Sequence, residues 1–378
     1  MNQKLHILFL CGWYPSKVLP TNGDFIQRHA EAVALKHNVT VIHIISDKSA
    51  TQKIQIDTKN SNHLTTHIAY IKPSTNPIIK GFRFYNAYRQ LLKKIGSVDH
   101  VHVNTLFPFG IFALHLKWFK KIPFIISEHW TGYQKPQSQD ISFLEKAISK
   151  RITKSAAFVC PVSIHLKKEM VLFGLKGNYS PVPNVVDTEL FSLVDKKEKS
   201  FTIVHVSSMT DTHKNISGML RVAKRLETEI GAFTWKFIGG TSEQFDVLIE
   251  QLNFNRANVQ FIDHVSQVEL ANHIQTAHLF VLFSNYENLP CVILEAFSCG
   301  IPVISTNVGG ISEYFPDDFG FLIEKQNQHQ LLRKIRKMYH NPISNSNAMH
   351  EYVITHFSRK TIATHFSELY YKSLKQQS

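Results

Sequence analysis

The chain has 378 residues, of which 43% are hydrophobic and 19% charged, with a net charge of +13. This length suits two domains of ordinary size, and the composition excludes disordered, collagen-like and coiled-coil proteins. No apolar run reaches the roughly 18 residues of a membrane-spanning helix, and the N-terminal apolar run has neither the length nor the cleavage site of a secretory signal.

The positive charge is concentrated in the first half of the chain. Residues 1–195 carry 24 Lys and Arg against 12 Asp and Glu, residues 196–354 carry 14 against 16, and residues 355–378 carry 4 against 1. We therefore expect one domain to face an anionic partner, for which nucleic acid, an acidic membrane surface or a phosphorylated acceptor all qualify.

Short apolar runs alternate with amphipathic stretches along the chain, which is typical of parallel α/β folds. The first half predicts strands at 4–11, 39–45, 100–103, 124–127 and 157–161, with a helix at 25–35. The second half predicts strands at 201–206, 234–238, 259–262, 279–283 and 303–305, with helices at 216–226, 330–339 and 359–374. Two similar halves predict two Rossmann-like domains, joined by the charged, aperiodic linker 193–200.

Several common signatures are missing. The chain has no GxGxxG after a strand, no phosphate-binding P-loop, no HExxH and no Asp-x-Asp. Its four cysteines, Cys11, Cys160, Cys291 and Cys299, form no CxxC pair and have no zinc-type histidine spacing, which indicates reduced thiols and no metal. Any phosphate must then be bound by backbone amides, helix N-termini and cationic side chains.

The loop after the first strand offers such a site. Gly23 lies just before a predicted helix, where glycine allows close approach of a ligand and free N–H groups favour an anion. The alternative is an ordinary loop in which Asn22 or Asp24 caps the helix.

The densest signal lies between residues 284 and 310. A strand ends at Ser284, and Glu287 follows in the loop at its carboxyl end, where α/β sheets bind ligands. Pro290 can open the next helix, and Glu295 lies inside that helix between apolar neighbours. Two glutamates at this spacing carry no weight alone, so the interpretation depends on the flanking residues.

These flanking residues resemble the Glu-x7-Glu region of the family-4 retaining glycosyltransferases, including the trailing EAxxxGxPVIxTxxGG. Similar runs occur at 183–191, at 203–208 with the following His213-Lys214-Asn215, and at 320–323. The resemblance covers nearly the whole chain and implies the α/β GT-B fold, with two Rossmann-like domains facing across a cleft. Residues 1–195 with 355–378 would bind the acceptor, residues 196–354 the donor, and the C-terminal helix would cross back to the first domain.

The resemblance also implies roles on the donor side. Glu287 would contact hydroxyls of the donor sugar together with amides near Asn288 and Leu289, and Glu295 would hold the ribose hydroxyls. Lys214 would stabilise charge on the leaving diphosphate. The alternatives are a helix glutamate paired with a surface cation for Glu295 and an ordinary loop lysine for Lys214.

In the first domain, the resemblance places Gly23 against the same diphosphate and His129 in the active site after a strand. The alternative for His129 is a satisfied loop histidine, since the chain has 21 histidines.

The chain departs from the family pattern in two places. Ser208 stands where the family usually has an arginine near the lysine, so one diphosphate cation is missing, and His213 or Arg221 could substitute for it. The segment after Glu287 differs from the family's glycine-rich run, so the donor sugar is not carried over.

Residues 78–95 predict a basic, aromatic helix. Its cations are interleaved with Phe and Tyr and are Lys80, Arg83, Arg89, Lys93 and Lys94. Such a helix suits an anionic membrane or an acceptor, and the segment 116–121 could add to it. The alternative is a packing helix with a solvated cationic face.

The sequence therefore predicts a retaining, metal-independent glycosyltransferase that uses a nucleotide-diphosphate sugar as co-substrate and needs no cofactor. The resemblance points to a hexose-type donor and a glycan or lipid-linked acceptor in surface polysaccharide, lipopolysaccharide or glycolipid synthesis. We expect a cytoplasmic protein, peripheral on the inner face of the membrane, that binds no nucleic acid. The alternatives are a nucleotide-sugar epimerase of the same fold, a catalytically inactive basic binding protein and a nucleic-acid-binding protein.

Overall fold

The computed structural model describes residues 3–134, 137–195, 198–255 and 258–376. These residues form two compact α/β units. The first unit runs up to Val185 and includes the residues from Arg359 onward, and the second unit is Val186–Ser358.

The chain order of the elements is as follows. The first unit contains β1 (His6–Cys11), α1 (Asp24–Ala34), β2 (Asn38–Ser46), β3 (Ile54–Ser61), β4 (Leu64–Ile71), α2 (Pro77–Leu92), β5 (His100–Asn104), α3 (Gly110–Lys120), β6 (Phe124–Glu128), α4 (Phe143–Ser155), β7 (Phe158–Pro161) and α5 (Ile164–Leu172). The second unit contains β8 (Phe201–Val206), α6 (Asp211–Lys214), α7 (Ile216–Leu226), β9 (Phe233–Ile238), α8 (Asp246–Leu252), β10 (Val259–Ile262), α9 (Gln267–Gln275), β11 (Leu279–Leu282), α10 (Cys291–Ser298), β12 (Val303–Thr306), β13 (Gly320–Ile323), α11 (Gln328–His340) and α12 (Ser346–Phe357). The last helix, α13 (Arg359–Lys375), belongs to the first unit.

Each unit is built on a parallel sheet. The strand order is β3-β4-β2-β1-β5-β6-β7 in the first and β10-β9-β8-β11-β12-β13 in the second. In both sheets the order reverses beside the first strand of the unit, β1 or β8. Ligands of such sheets bind at the carboxyl ends of the strands next to this reversal, that is, after β1 and β5 or after β8 and β11.

The strands and helices predicted from the sequence are present, and the sequence analysis missed one hairpin. In that hairpin, β3 pairs antiparallel with β4, and β3 forms the edge of the sheet. Most of β3 is exposed, so its sequence lacks the apolar pattern by which the buried strands were found.

Both boundaries between the two units differ from those expected from the sequence. Phe191 is fully buried, and Ser298 Oγ donates a hydrogen bond to its carbonyl, so the segment after Val185 packs with the second unit rather than the first. Ser358 forms a β-bridge with Val186, which keeps residues 355–358 in the second unit. The predicted linker 193–200 includes Lys196 and Lys197, which lie outside the described residues.

Helix α13 docks on the first unit through buried histidines. Each of three histidines in or beside the sheet contacts a hydroxyl group of the helix: His37 Nε2 lies 2.8 Å from Ser367 Oγ, His100 Nε2 lies 2.5 Å from Ser373 Oγ, and His102 Nδ1 lies 2.7 Å from Tyr370 Oη. Burial lowers the pKa of His37 to about 4 and that of His100 to about 3. The three imidazoles are therefore neutral at pH 7.

None of the helices in the described ranges is both long and apolar enough to cross a bilayer. All four cysteines are free thiols, and three of them are buried.

We expect acid to destabilise the first unit through these histidines. Above about pH 6.5 they are neutral in the folded and the unfolded chain, whereas below it only the unfolded chain takes up protons. The free energy of unfolding should therefore fall between about pH 6.5 and pH 4, by roughly 2 kcal/mol per fully buried histidine at pH 5. Urea unfolding at a series of pH values measures the slope.

The matched control for this prediction is an exposed histidine of α13. His100→Asn should flatten the pH dependence, and His365→Asn, which changes an exposed residue of α13, should leave it unchanged. An unchanged slope in His100→Asn would contradict the assignment.

Candidate functional site

The second unit brings Lys214 and Glu287 together. Lys214 ends the short helix α6 after β8, Glu287 lies in the loop after β11, and β8 and β11 are neighbours in the sheet. Lys214 Nζ lies 2.5 Å from Glu287 Oε1, and their side chains are only 14% and 8% exposed. Two residues that are 73 positions apart in sequence thus form a buried ion pair at the carboxyl edge of the sheet.

Further hydrogen bonds fix this pair. Ser284 Oγ donates to Glu287 Oε1 at 2.7 Å, and Thr306 Oγ1 donates to the Ser284 carbonyl at 2.7 Å. Asn285 N donates to the His213 carbonyl at 2.8 Å, which joins the two loops directly. Burial by itself would raise the pKa of Glu287, but Lys214 and His213 outweigh it and hold that pKa below its ordinary value.

His213 and Ser208 lie in the lysine loop but supply no cation. Nε2 of His213 contacts the Tyr286 carbonyl at 2.6 Å, and the two rings stack with centroids 4.7 Å apart. Burial, followed by the charge of Lys214, lowers the pKa of His213, so it is neutral at pH 7. Ser208 is exposed, with its hydroxyl 3.4 Å from that of Thr210. The suggested replacement of the missing arginine by His213 stays a prediction, in which a neutral imidazole would contribute a hydrogen bond rather than a charge.

Two glycines of the loop after β12 lie against the backbone of Glu287 and Asn288. Gly309 has φ +62°, and a Cβ there would lie 1.9 Å from the Glu287 carbonyl oxygen. Gly310 N donates to the Asn288 carbonyl at 2.8 Å. Asn288 and Leu289 are each 6% exposed. Glycine is required at position 309 because no side chain fits between these two loops.

Glu295 lies in the helix that follows this loop. Its residue is 1% exposed, within α10, which begins directly after Pro290. A carboxylate at such a depth is costly unless it is paired, so its retention inside an otherwise apolar helix indicates a specific role.

In the first unit, Gly23 occupies the N-cap position of α1 with φ +80°. A Cβ there would lie 2.6 Å from the Trp13 carbonyl carbon and 2.7 Å from Tyr14 N. The loop after β1 therefore packs against the start of the helix, and only glycine permits this contact. No side chain caps α1 through its N-cap residue, and Asp24 accepts a hydrogen bond from Phe25 N at 2.8 Å.

His129 lies in the loop after β6, beside a carboxylate that the sequence analysis missed. Its ring packs 4.7 Å from Phe25 and 5.3 Å from His29, and burial holds its pKa well below the ordinary value. The preceding Glu128 is fully buried and accepts hydrogen bonds from Leu106 N, His129 N, Trp130 N and Tyr133 Oη. Its position as the last residue of an apolar strand was the signal that could have identified it.

An aromatic cavity of about 280 Å³ adjoins Glu128. It lies at the carboxyl ends of β1, β5 and β6, and its walls include Trp13, Trp130, Tyr133 and Glu145. The Trp130 and Tyr133 rings meet edge to face with centroids 5.3 Å apart. Burial raises the pKa of Glu145. The sequence analysis did not single out this cavity, because its residues come from four separate segments.

The basic helix α2 is exposed along most of its length. Lys80, Arg89, Lys93 and Lys94 are exposed, whereas Arg83 is half-buried and donates from Nη1 to the carbonyls of Lys72 and Pro73 at 2.7 and 3.0 Å. Large apolar side chains share this surface, including Ile78 (80% exposed) and Phe82 (70% exposed). Within the described ranges, no cluster of three His, Cys, Asp or Glu side chains is placed to hold a metal ion.

Removing the cation of the buried pair should destabilise the second unit. Lys214→Met leaves the Glu287 carboxylate buried without its partner, which should lower the free energy of unfolding by about 3 kcal/mol at pH 7. The loss should shrink at pH 5, because burial then raises the pKa of Glu287 and the carboxyl group becomes protonated. Denaturant unfolding at the two pH values measures both effects.

Lys236→Met is the control for this variant. It breaks the Lys236–Glu198 pair, whose carboxylate is 41% exposed, and should cost less than about 1 kcal/mol. Equal losses in the two variants would show that the Lys214–Glu287 pair is energetically an ordinary surface pair.

Comparison with known proteins gives a consistent family. Residues 187–355 match the family model "Glycosyl transferases group 1", and residues 26–190 match "Glycosyltransferase Family 4". The chain is 25% identical over 279 residues to an uncharacterized glycosyltransferase of Methanocaldococcus jannaschii, covering 70% of this chain and 74% of that protein.

Two solved structures show the same fold. Sucrose-phosphate synthase from Thermosynechococcus elongatus aligns with a TM-score of 0.78 at 19% identity, covering 99% of this chain and all of that chain. Anabaena HepE, solved in complex with UDP and glucose, aligns with a TM-score of 0.74 at 14% identity, covering 97% of this chain and all of that chain. The GT-B fold predicted from the sequence is confirmed. Together the two family models run from residue 26 to residue 355, and the chain belongs to the group-1 and family-4 glycosyltransferases.

Proposed function

We propose that this glycosyltransferase moves a hexose-type sugar, with retention of configuration and without a metal ion, from a nucleotide-diphosphate sugar to a glycan or lipid-linked acceptor. The Lys214–Glu287 pair carries the proposal. It holds an ammonium group and a carboxylate 2.5 Å apart at the sheet edge where such folds bind ligands. The ammonium suits a diphosphate, and the carboxylate suits sugar hydroxyls.

In this proposal Lys214 stabilises the negative charge that builds up on the leaving diphosphate. The acceptor hydroxyl attacks the anomeric carbon from the face that the diphosphate leaves. A bond from the acceptor oxygen to that carbon forms as the carbon–diphosphate bond breaks, and a phosphate oxygen takes the acceptor proton. Glu287 has a lowered pKa and accepts hydrogen bonds from Lys214 and Ser284, so it suits binding better than proton abstraction.

The other site residues receive binding roles. Glu295 is proposed to hold the ribose hydroxyls as a two-oxygen acceptor, and backbone near Asn288 and Leu289 to contact the sugar. Gly23, at the N-terminus of α1, is proposed to lie against the diphosphate. His129 is neutral, which suits it to hydrogen bonding with a hydroxyl rather than to charge stabilisation. The HepE complex with UDP and glucose supports uridine diphosphate glucose as the first donor to test.

The aromatic cavity of the first unit is proposed to hold the acceptor. Its tryptophan walls suit the apolar face of a sugar ring, and Glu128 and Glu145 lie beside it. Two apolar side chains next to Glu145, those of Phe143 and Leu144, are 89% and 69% exposed. Their exposure favours a lipid-linked sugar acceptor, as used in surface polysaccharide, lipopolysaccharide or glycolipid synthesis.

A peripheral location on an anionic membrane is part of the proposal. The first unit has 28 Lys and Arg against 10 Asp and Glu, while the second has 14 against 19. This asymmetry is sharper than the one obtained with the boundaries expected from the sequence. An anionic surface would therefore attract the first unit.

Nucleotide binding is the direct test of the donor site. At 100 times its dissociation constant, a ligand should raise the free energy of unfolding by about 2.7 kcal/mol. We expect uridine diphosphate or a related nucleotide to give such a shift in the presence of a chelator, and Glu295→Gln to abolish it. Thermal unfolding against a panel of nucleotides and nucleotide sugars measures this, with the exposed Glu324→Gln as control.

The reaction products then separate the alternatives. Nuclear magnetic resonance of the products should show an α-linked product from an α-linked donor and no epimerised nucleotide sugar when acceptor is absent. An epimerised sugar would favour the epimerase, and the absence of any nucleotide shift would favour the inactive binding protein.

Membrane binding is tested by sedimentation with vesicles. Vesicles that contain phosphatidylglycerol should retain the protein at low salt and release it as salt rises, because screening weakens surface charge. Lys93→Glu/Lys94→Glu should weaken retention, and the matched Lys337→Glu in the second unit should leave it unchanged. Failure of the wild type to sediment at low salt rules out this part of the proposal.

A further inference from the structure

A second cavity of the first unit has a different chemistry and lies at the opposite edge of the sheet. It has a volume of about 310 Å³ and is lined mainly by aliphatic side chains: Leu8, Leu92, Ile95, Val98, Leu116 and Ile122. Val98 and Ile122 lie just before β5 and β6, at the amino ends of these strands, whereas the proposed acceptor cavity is at their carboxyl ends. We call it the apolar cavity.

The floor of the apolar cavity is buried, and its lip is accessible to solvent. Leu8 is fully buried in β1 and Leu116 is 3% exposed in α3. Ile95, Val98 and Ile122 are half-buried at the lip. Most of the lining is apolar: its polar side chains are those of Ser97 and Lys120, and the Ser97 carbonyl is already 2.5 Å from His6 Nδ1. A sugar, a nucleotide base or a free phosphate would therefore gain few hydrogen bonds inside it.

Four exposed lysines adjoin the lining residues in sequence. Lys93 and Lys94 stand between the lining residues Leu92 and Ile95, Lys120 ends α3 and is itself a lining residue, and Lys121 stands between Lys120 and Ile122. In the part of the chain that the structure describes, none of these four forms an ion pair. Asp99 is the carboxylate next to Val98, and its Oδ2 accepts a hydrogen bond from His6 N at 2.7 Å. Lysines at the C-termini of helices are favourable because they complement the helix dipole. The dipole does not account for the apolar cavity next to them.

Exposed apolar residues extend from the cavity along α2. Phe82, Tyr85, Arg89 and Leu92 follow one another at spacings of three or four residues, so they share one face of the helix. Phe82 is 70% exposed and Tyr85 47%, and Phe119 beside the lip is 76% exposed. Exposed apolar side chains of α2, exposed lysines and an apolar cavity thus occur in the same part of the first unit.

We propose that the apolar cavity takes an acyl chain of an anionic membrane phospholipid, with its headgroup phosphate bound by the lysines of the lip. This site goes beyond sugar transfer and does not depend on it. The bound lipid serves as an anchor rather than as the acceptor, because the cavity is at the far edge of the sheet from the aromatic cavity. The charge of the lip excludes a cationic ligand, and its apolar walls exclude a fully polar one.

Binding of the acyl chain is tested by calorimetric titration of the protein with alkyl phosphates below their micelle concentrations. Binding should tighten about fourfold for each added methylene from butyl to dodecyl phosphate until the cavity is full. Dodecyl maltoside, which has the chain but no charge, should bind more weakly than dodecyl phosphate. Equal affinity for butyl and dodecyl phosphate would show that only the headgroup binds, and would overturn the proposal.

Variants locate the binding. Val98→Trp fills the lip of the cavity and should weaken dodecyl phosphate binding by about tenfold or more, since several methylenes lose their burial. Leu172→Trp, at a residue of α5 that is 79% exposed, is the matched control and should bind like the wild type. Thermal unfolding verifies that each variant is folded, and Ile95→Trp replaces Val98→Trp if the latter unfolds. Unchanged binding in a folded cavity-filling variant would overturn the proposal.

Vesicles distinguish a bilayer lipid from a soluble amphiphile. Val98→Trp should sediment less with phosphatidylglycerol vesicles than the wild type and Leu172→Trp do, and none should sediment with phosphatidylcholine alone. If Val98→Trp binds alkyl phosphates weakly but sediments like the wild type, the cavity takes a soluble amphiphile and the membrane source is wrong. If sedimentation velocity shows a dimer that Val98→Trp abolishes, the cavity receives a second copy of the chain instead.

Discussion

The buried contact between Lys214 and Glu287 is the constraint on which the second unit depends. A glutamate that is 6% exposed needs a partner for its carboxylate, and the partner comes from a loop 73 residues earlier in the chain. That pairing requires β8 and β11 to be neighbours, and it requires the next loop to approach so closely that residue 309 must be glycine. The ion pair thus links the topology of the sheet to the site proposed to bind the nucleotide-sugar donor.

The first unit uses buried polar groups in a different way. Its sheet carries histidines whose burial keeps them neutral, and three of them contact hydroxyl groups of the C-terminal helix. Glu128 is likewise buried, and its carboxyl group accepts four hydrogen bonds that hold the loop containing His129. Buried groups here fix loops and a helix in place, whereas the exposed groups of the same unit carry its positive charge.

The two ends of the strands in the first sheet present two kinds of surface. The carboxyl edge has tryptophans and carboxylates, which suit sugar rings, and the amino edge has an aliphatic cavity with lysines at its lip. Parallel strands keep all carboxyl ends together, so a single sheet presents chemically distinct surfaces at its two ends. The proposed anchor and the proposed acceptor site therefore lie at opposite ends of the strands and would not compete.

The sequence was sufficient for features that depend on local pattern. The alternation of apolar runs and amphipathic helices predicted the two Rossmann-like units, and the run from Glu287 to Gly310 predicted the family. It was insufficient for β3, an exposed edge strand without an apolar pattern, and for Glu128, whose role depends on donors from three segments. The unit boundary was placed ten residues late because the burial of Phe191 is a tertiary contact.

The sequence by itself therefore determined the fold class, the family and the residue types available for chemistry. Periodicity and motif spacing are local features, which can be recognised without knowing which segments meet. Only the tertiary structure decided which of those residues meet. It paired Lys214 with Glu287, placed His213 half-buried beside a cation, so that burial and that charge lower its pKa, and left apolar side chains of α2 exposed. Burial and long-range contacts set the charge state of a side chain, and neither follows from the residue's neighbours in sequence.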